Sequence, residues 1–217
     1  MDKHILERLI SNDTTLTALD LWNKRIGDEG TRSLAAALKC NSTLVKLSLG
    51  CNEIRDEGAR CIATALERNR TLTFMDLSNN NIGDEGALAL TAMLERNSTL
   101  STLYLGNNHI GDEGARYLAT ALERNNTLTA LGVWRNIIED EGARALASML
   151  ERNRSLTVLF LWNNGMRDER ALVSIANALH RNCARQKSIQ EAWRKGRRRK
   201  ALFLWVLWNG VRKQTWL

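Results

Sequence analysis

The chain has no proline in its 217 residues and only 14 glycines, so long linkers rich in these residues do not organise it. Its four cysteines, Cys40, Cys51, Cys61 and Cys183, follow neither a disulfide framework nor a metal-site spacing. Three of them stand where sister units carry other residues, which suits free thiols in a reducing compartment. The three histidines, His4, His109 and His180, are far apart and have no ligand partners at fixed spacing. No P-loop, dinucleotide fingerprint, zinc spacing or nucleophile motif is present, so an enzyme, a cofactor and a bound metal are not expected. The first ten residues, MDKHILERLI, contain no uninterrupted apolar core of signal-peptide length. A cytoplasmic location is therefore expected, with the nucleus as the next choice. The apolar stretch 201–208 would span about 12 Å as a helix against a hydrocarbon layer of roughly 30 Å, too short to cross a membrane.

What the chain does have is a period. Leu16, Leu44, Leu72, Leu100, Leu128 and Leu156 are each 28 residues apart, and the pattern around them recurs in register. In the unit beginning at Leu72, Met75 and Leu77 fall on one side of a short strand and Asp76 on the other. Gly86, Leu90 and Leu94 follow at a spacing of four and line one face of a helix. Neither element can bury its apolar face alone, so successive units must stack.

The polar positions of the unit have their own physics. Asn80 recurs as Asn52, Asn108, Asn136 and Asn164 just after the strand, with Lys24 in its place in the first unit. A short amide there can satisfy the backbone of its own turn and of the neighbouring one. Asp84 and Glu85 recur in every unit immediately before the helix, where an acidic side chain is expected to cap free N–H groups. A second asparagine series, Asn41, Asn69, Asn97, Asn125 and Asn153, begins N-x-S/T triplets and is read as structural rather than as glycosylation acceptors.

This pattern resembles the leucine-rich repeats of the ribonuclease-inhibitor type, over roughly residues 4–182. The phrase GARALA at 142–147 is also similar to the repeats of GALA effectors and of intracellular nucleotide-binding receptors. The resemblance implies a right-handed α/β solenoid, a horseshoe arc with a parallel inner sheet and outer helices. Three parts are expected: a partial N-terminal capping helix over 1–15, six repeats over 16–182, and a basic, Trp-rich tail over 183–217 that is a candidate cap. In the sixth unit Arg170 replaces the repeat glycine, and register is lost after Asn182. Leu6, Leu9 and Ile10 are the candidate cap residues, and they leave Leu19 and Leu21 thinly covered. Further protein before this segment, or another chain on that end, would cover it.

Function is sought where the repeats disagree. Outward strand positions are free of the packing that fixes the core columns. One such column reads Asp20, Ser48, Asp76, Tyr104, Gly132 and Phe160, and the column two residues on reads Trp22, Gly50, Ser78, Gly106, Trp134 and Trp162. Trp134, Trp162 and Phe160, with Arg135 at their edge, form a candidate protein-binding patch on the concave face. Tyr104 and Phe74 are expected to be isolated in the middle beside Asp76, and Trp22 to stand alone at the far end. A second reading uses the basic run of Arg194, Lys195, Arg197, Arg198, Arg199 and Lys200 to bind nucleic acid or another anionic surface. Self-association through the open solenoid ends is a third. Because ribonuclease inhibitors take basic partners, the net charge of +7 argues against that activity here.

Overall fold

The computed structural model describes residues 2–193, with side chains through 187. Over this range it is an α/β solenoid in which strand and helix alternate. Helix α1 (Lys3–Ile10) opens the chain, followed by β1 (Ala18–Asp20), α2 (Gly27–Leu38), β2 (Lys46–Ser48), α3 (Asp56–Leu66), β3 (Phe74–Asp76) and α4 (Asp84–Arg96). Then come β4 (Thr102–Tyr104), α5 (Asp112–Leu122), β5 (Ala130–Gly132), α6 (Asp140–Arg152), β6 (Val158–Phe160) and α7 (Glu169–Trp193). The strands form a six-stranded parallel sheet in sequence order, and each pairs residue for residue with its counterpart 28 positions on. The helices pack in sequence order as a second layer.

The repeated leucines build one core between the layers. Leu44, Leu72, Leu128 and Leu156 are fully buried, as are Met75 and Leu77 of the third unit. Gly86, Leu90 and Leu94 are buried along one face of α4. The glycine is required by a close approach. A Cβ at Gly86 would lie 2.6 Å from Asp56 Oδ1 and 2.6 Å from Ile82 Cγ2.

The post-strand asparagines form the expected ladder. Asn80 Nδ2 donates to Leu77 O and Ser78 O of its own turn and to Leu49 O of the preceding one, at 2.9, 3.1 and 3.0 Å. Its Oδ1 accepts from the N–H groups of Asn52 and Ile54, both at 3.0 Å. The N-x-S/T asparagines form a second ladder on the other side of the core. Asn69 Nδ2 donates to Leu38 O and Asn41 O, and its Oδ1 accepts from Thr71 N and Leu72 N. All five are buried, so their amides hold helix ends to the following turn.

Three expectations are corrected. The Asp–Glu pair does not precede the helix but occupies its first turn, and the aspartate caps the helix of the next repeat. Asp84 Oδ1 accepts from Gly111 N and Gly114 N at 2.7 and 2.9 Å, and Asp28, Asp56 and Asp112 make the equivalent bonds one repeat on. The glycine and the aspartate are thus one device, since the bare backbone at Gly114 lets the carboxylate reach its N–H. In the sixth unit Asp140 Oδ1 instead takes Arg167 N and Asp168 N, while Asp168 caps α7 by accepting from Arg170 N and Ala171 N. The glycine is dispensable there, which accounts for Arg170.

At the N-terminus, Leu9 is fully buried and Leu6 partly so, but Ile10 points to solvent at 62% exposure. Leu21 is nevertheless buried, so that end is better covered than expected, while Leu19 is only partly buried. At the other end α7 runs on through Asn182, where the repeat register is lost. The N–H groups that a turn would offer to Asn182 Oδ1 are then held in the helix, and that buried oxygen has no hydrogen-bond partner. Gln186, one turn further, donates to Ser155 O at 3.0 Å and covers part of the last unit. The basic run Arg194 to Lys200 and the apolar stretch 201–208 lie outside the described residues. Among the described residues no helix is long and apolar enough to cross a membrane.

Candidate functional site on the concave face

The outward strand columns face the inner side of the arc, and the structure brings five of their aromatic side chains together. Trp134 and Trp162 stack with ring centroids 5.8 Å apart and an interplanar angle of 14°. Phe160 meets Trp134 edge-on at 6.1 Å, and Tyr104 meets Trp134 edge-on at 5.5 Å and Phe160 at 6.1 Å. Phe74 joins at 5.5 Å from Tyr104. Phe74 and Tyr104 are therefore not isolated, as the sequence suggested, but continue one cluster across β3 to β6.

The reason lies in residues that strand alternation alone does not single out. Gly106 and Gly132 are buried in the same columns, and a Cβ on either would overlap the indole of Trp134. The two glycines make a floor on which that ring lies flat. It thereby reaches back to Tyr104 while leaving one face for Trp162. Trp22 repeats the device at the other end, lying on Gly50 with 43% of its surface exposed, and no aromatic partner is found for it among the described residues. A tryptophan with glycine in the neighbouring unit of the same column is the sequence signal that would have located the platform.

The polar surroundings divide into committed and uncommitted groups. Asp76 Oδ1 accepts from Ser78 N at 2.8 Å, which ties its carboxylate to its own turn. It lies beside Tyr104 in the strand register. Partial burial, and secondarily the Asp76 charge, push the Tyr104 phenol above its ordinary pKa, so the ring stays neutral and acts as a packing and hydrogen-bonding surface. Arg135 stands at the upper edge with a left-handed backbone, φ 52°, and its N–H donates to Trp162 O at 2.9 Å. The same left-handed position is held by Asn23, Cys51, Asn79, Asn107 and Asn163.

Other chemistry-bearing groups are engaged in structure. A polar cleft lined by Asp112, Glu139, Asp140, Glu141, Arg144, Gly165 and Arg167 lies at the start of α6 and α7. Asp112 caps α6, Asp140 accepts from the backbone just before α7, and Arg144 pairs with Asp168 at 2.8 Å. Among the described residues no group of His, Cys, Asp or Glu is arranged to hold a metal ion, and Cys40, Cys51, Cys61 and Cys183 are free thiols.

A parallel solenoid with its helices outside, a hydrogen-bonded asparagine ladder and a variable concave face defines a leucine-rich-repeat module for protein–protein interaction. The TMOD/LMOD leucine-rich domain profile matches residues 2–133, more than half of the chain, and a leucine-rich repeat profile matches residues 124–147. The chain belongs to the tropomodulin/leiomodin leucine-rich domain family, a branch of the wider group that includes the ribonuclease-inhibitor type of repeat. No curated protein is significantly similar in sequence.

Solved structures that share the fold include two relatives of this kind. One, titled leiomodin-1 actin-binding site 2, is 24% identical with a TM-score of 0.59, covering 89% of this chain and 96% of its own. The other, the Caenorhabditis elegans tropomodulin C-terminal domain, is 20% identical with a TM-score of 0.60, covering 88% of this chain and 98% of its own.

Proposed function

We propose that this protein binds a partner protein on its concave face, with Trp134, Trp162 and Phe160 as anchors, Tyr104 and Phe74 extending them, and Arg135 as a polar contact at the rim. The observation that carries this reading is the cluster of five aromatic rings in mutual contact on the free side of the sheet. Rigid aromatic surface of this kind supplies large contact area at little cost in side-chain entropy. Asp76 flanks the platform and Trp22 is a lesser contact at the far end.

Actin is the partner to test first, because one solved relative is an actin-binding site of leiomodin-1. The protein acts in the cytoplasm in this reading, in keeping with its free thiols. The experiment is co-sedimentation of the full-length chain with filamentous actin, comparing it with a Trp134→Ala, Trp162→Ala double variant. Loss of two anchors is expected to weaken binding by more than about 30-fold. An unchanged affinity would remove the concave platform from the interaction, and absence of binding by the unaltered chain would remove actin.

A second reading rests on where the charge is. Eight of the 31 Lys and Arg residues and none of the 24 Asp and Glu residues lie in 194–217, so the preceding residues carry 23 basic against 24 acidic side chains. The whole positive excess belongs to the tail, and in this reading the tail binds nucleic acid or another anionic surface. Such binding falls steeply with salt, whereas the aromatic platform is much less sensitive, and a salt series separates the two.

A further inference from the structure

We infer that the loop 135–139 of the fifth repeat carries the platform over the rim of the solenoid and reads a carboxylate lying beside an apolar side chain on the partner. The inference rests on the concave platform being the binding site and adds the partner's chemistry to it.

Three observations converge on this loop. The first is Arg135, whose left-handed φ of 52° falls in a column otherwise filled by asparagine and one cysteine. Asparagine tolerates that backbone better than a long side chain does. The second is charge. Arg135 is exposed and takes part in none of the ion pairs among the described residues. Its backbone N–H donates to Trp162 O, so the main chain that carries this cation adjoins the stacked indoles. Glu139, the acid on the same loop, turns its side chain toward Gly165 and the polar cleft instead.

The third is Ile137, 63% exposed in a column that otherwise reads Arg25, Glu53, Asn81, His109 and Gly165. Its Cγ1 approaches the bare backbone of Gly111, and Gly165 occupies the same column on its other side. Ile137 is thus an apolar knob flanked by glycine, two residues along the chain from an arginine whose backbone is bonded to one of the stacked tryptophans. A segment that sets an apolar side chain on the rings and a carboxylate against Arg135 satisfies all three features. A segment bearing a cation would meet Arg135 unfavourably.

The test uses two small probes with the same ring and opposite charge, 3-phenylpropionate and phenethylammonium. Each is titrated into the full-length protein while the indole N–H signals of Trp134 and Trp162 and the Nε–H of Arg135 are followed by NMR. The expected result is saturable shifts with the carboxylate and weaker ones with the ammonium. Arg135→Asn should weaken the carboxylate probe about tenfold, the scale of one charge-assisted hydrogen bond, while raising Tm because the column residue is restored. Ile137→Ser should weaken it by a smaller factor without lowering Tm.

Equal or tighter binding of the ammonium, or carboxylate binding indifferent to Arg135→Asn, overturns the inference and leaves the platform standing. Failure of both probes to move the two indoles counts against the platform itself.

Discussion

The first two repeats and the last three are the same machine with different inner faces. Leu47 and Leu131 are both fully buried at matching places, and Asn52 and Asn136 make the same ladder bonds. On the concave side, however, repeats 1 and 2 present Asp20, Ser48 and a single tryptophan over Gly50. Repeats 4 to 6 carry stacked and edge-packed rings over Gly106 and Gly132. Packing therefore dictates the buried columns in both halves and leaves the concave columns free to diverge. The divergence marks where recognition is expected.

If the halves share one scaffold, damage to the ladder must cost the same in each. Asn52 donates to Leu21 O and Gly50 O and accepts from Lys24 N and Ile26 N. Asn136 donates to Leu105 O, Val133 O and Trp134 O and accepts from Ile110 N. Replacing either by alanine strands several buried backbone groups, and a loss of about 3 kcal/mol is expected at both positions. Urea denaturation of the two variants checks this. A difference between them of more than about 2 kcal/mol would mean that the two halves are not equivalent scaffolds.

The aspartate caps test the same equivalence at smaller cost. Asp84→Ala removes the acceptor for Gly111 N and Gly114 N and should destabilise by about 1 kcal/mol, whereas Glu85→Ala should leave the denaturation midpoint nearly unchanged. Equal effects at the two positions would restore the view that both acids serve the helix they begin.

That distinction shows how the sequence could and could not be read. Strand, helix, core and ladder were legible because each buries a periodic set of side chains, and a period of 28 residues admits one way of stacking them. The target of each aspartate was not legible, since the bond crosses to the next repeat and nothing local separates N-cap from first turn. The aromatic platform was half legible. Alternation placed Trp134, Trp162 and Phe160 on one face, but the reach of an indole across two glycines depends on a side-chain rotamer. For that reason Tyr104 and Phe74 looked isolated. Ile137 was not legible because its column carries a different residue in every repeat, so no packing pattern marks an isoleucine there.

The platform's dependence on its floor gives the next test. Gly106→Ala places a methyl group where the Trp134 ring now lies, so the ring must move, while the buried leucine columns stay in place. The near-UV circular dichroism of the stacked indoles should diminish, and actin co-sedimentation should weaken, for a stability loss of no more than about 1 kcal/mol. Gly50→Ala does the same to Trp22 and should leave binding intact. If it weakened binding equally, the interface would extend over the whole arc and the contrast between the halves would lose its functional meaning.

The smallest effect concerns pH at the N-terminal end, where the first repeat meets α1. The Asp13 carboxyl is held at about 2, first by the Thr15 hydroxyl and next by the Arg8 guanidinium, 2.7 Å away. Its folded-state pKa lies below the unfolded value of about 3.9, so its contribution to stability is fully present above that value and disappears as pH falls toward 2. At the opposite end Asp140 and Asp168 are also depressed, by the Arg167 and Asp168 N–H groups and by Arg144 respectively, and lose their contributions on acidification in the same direction. Amide exchange in α1 should therefore speed up between about pH 4 and 2 beyond the intrinsic pH dependence of exchange. In Asp13→Asn the corrected protection of α1 should be low and flat across that window, while α7 should still loosen. If α1 kept its full protection down to pH 2 in the unaltered chain, the Arg8–Asp13–Thr15 cluster would not be what fastens the first helix to the repeats, and burial of Leu9 would be left to hold it.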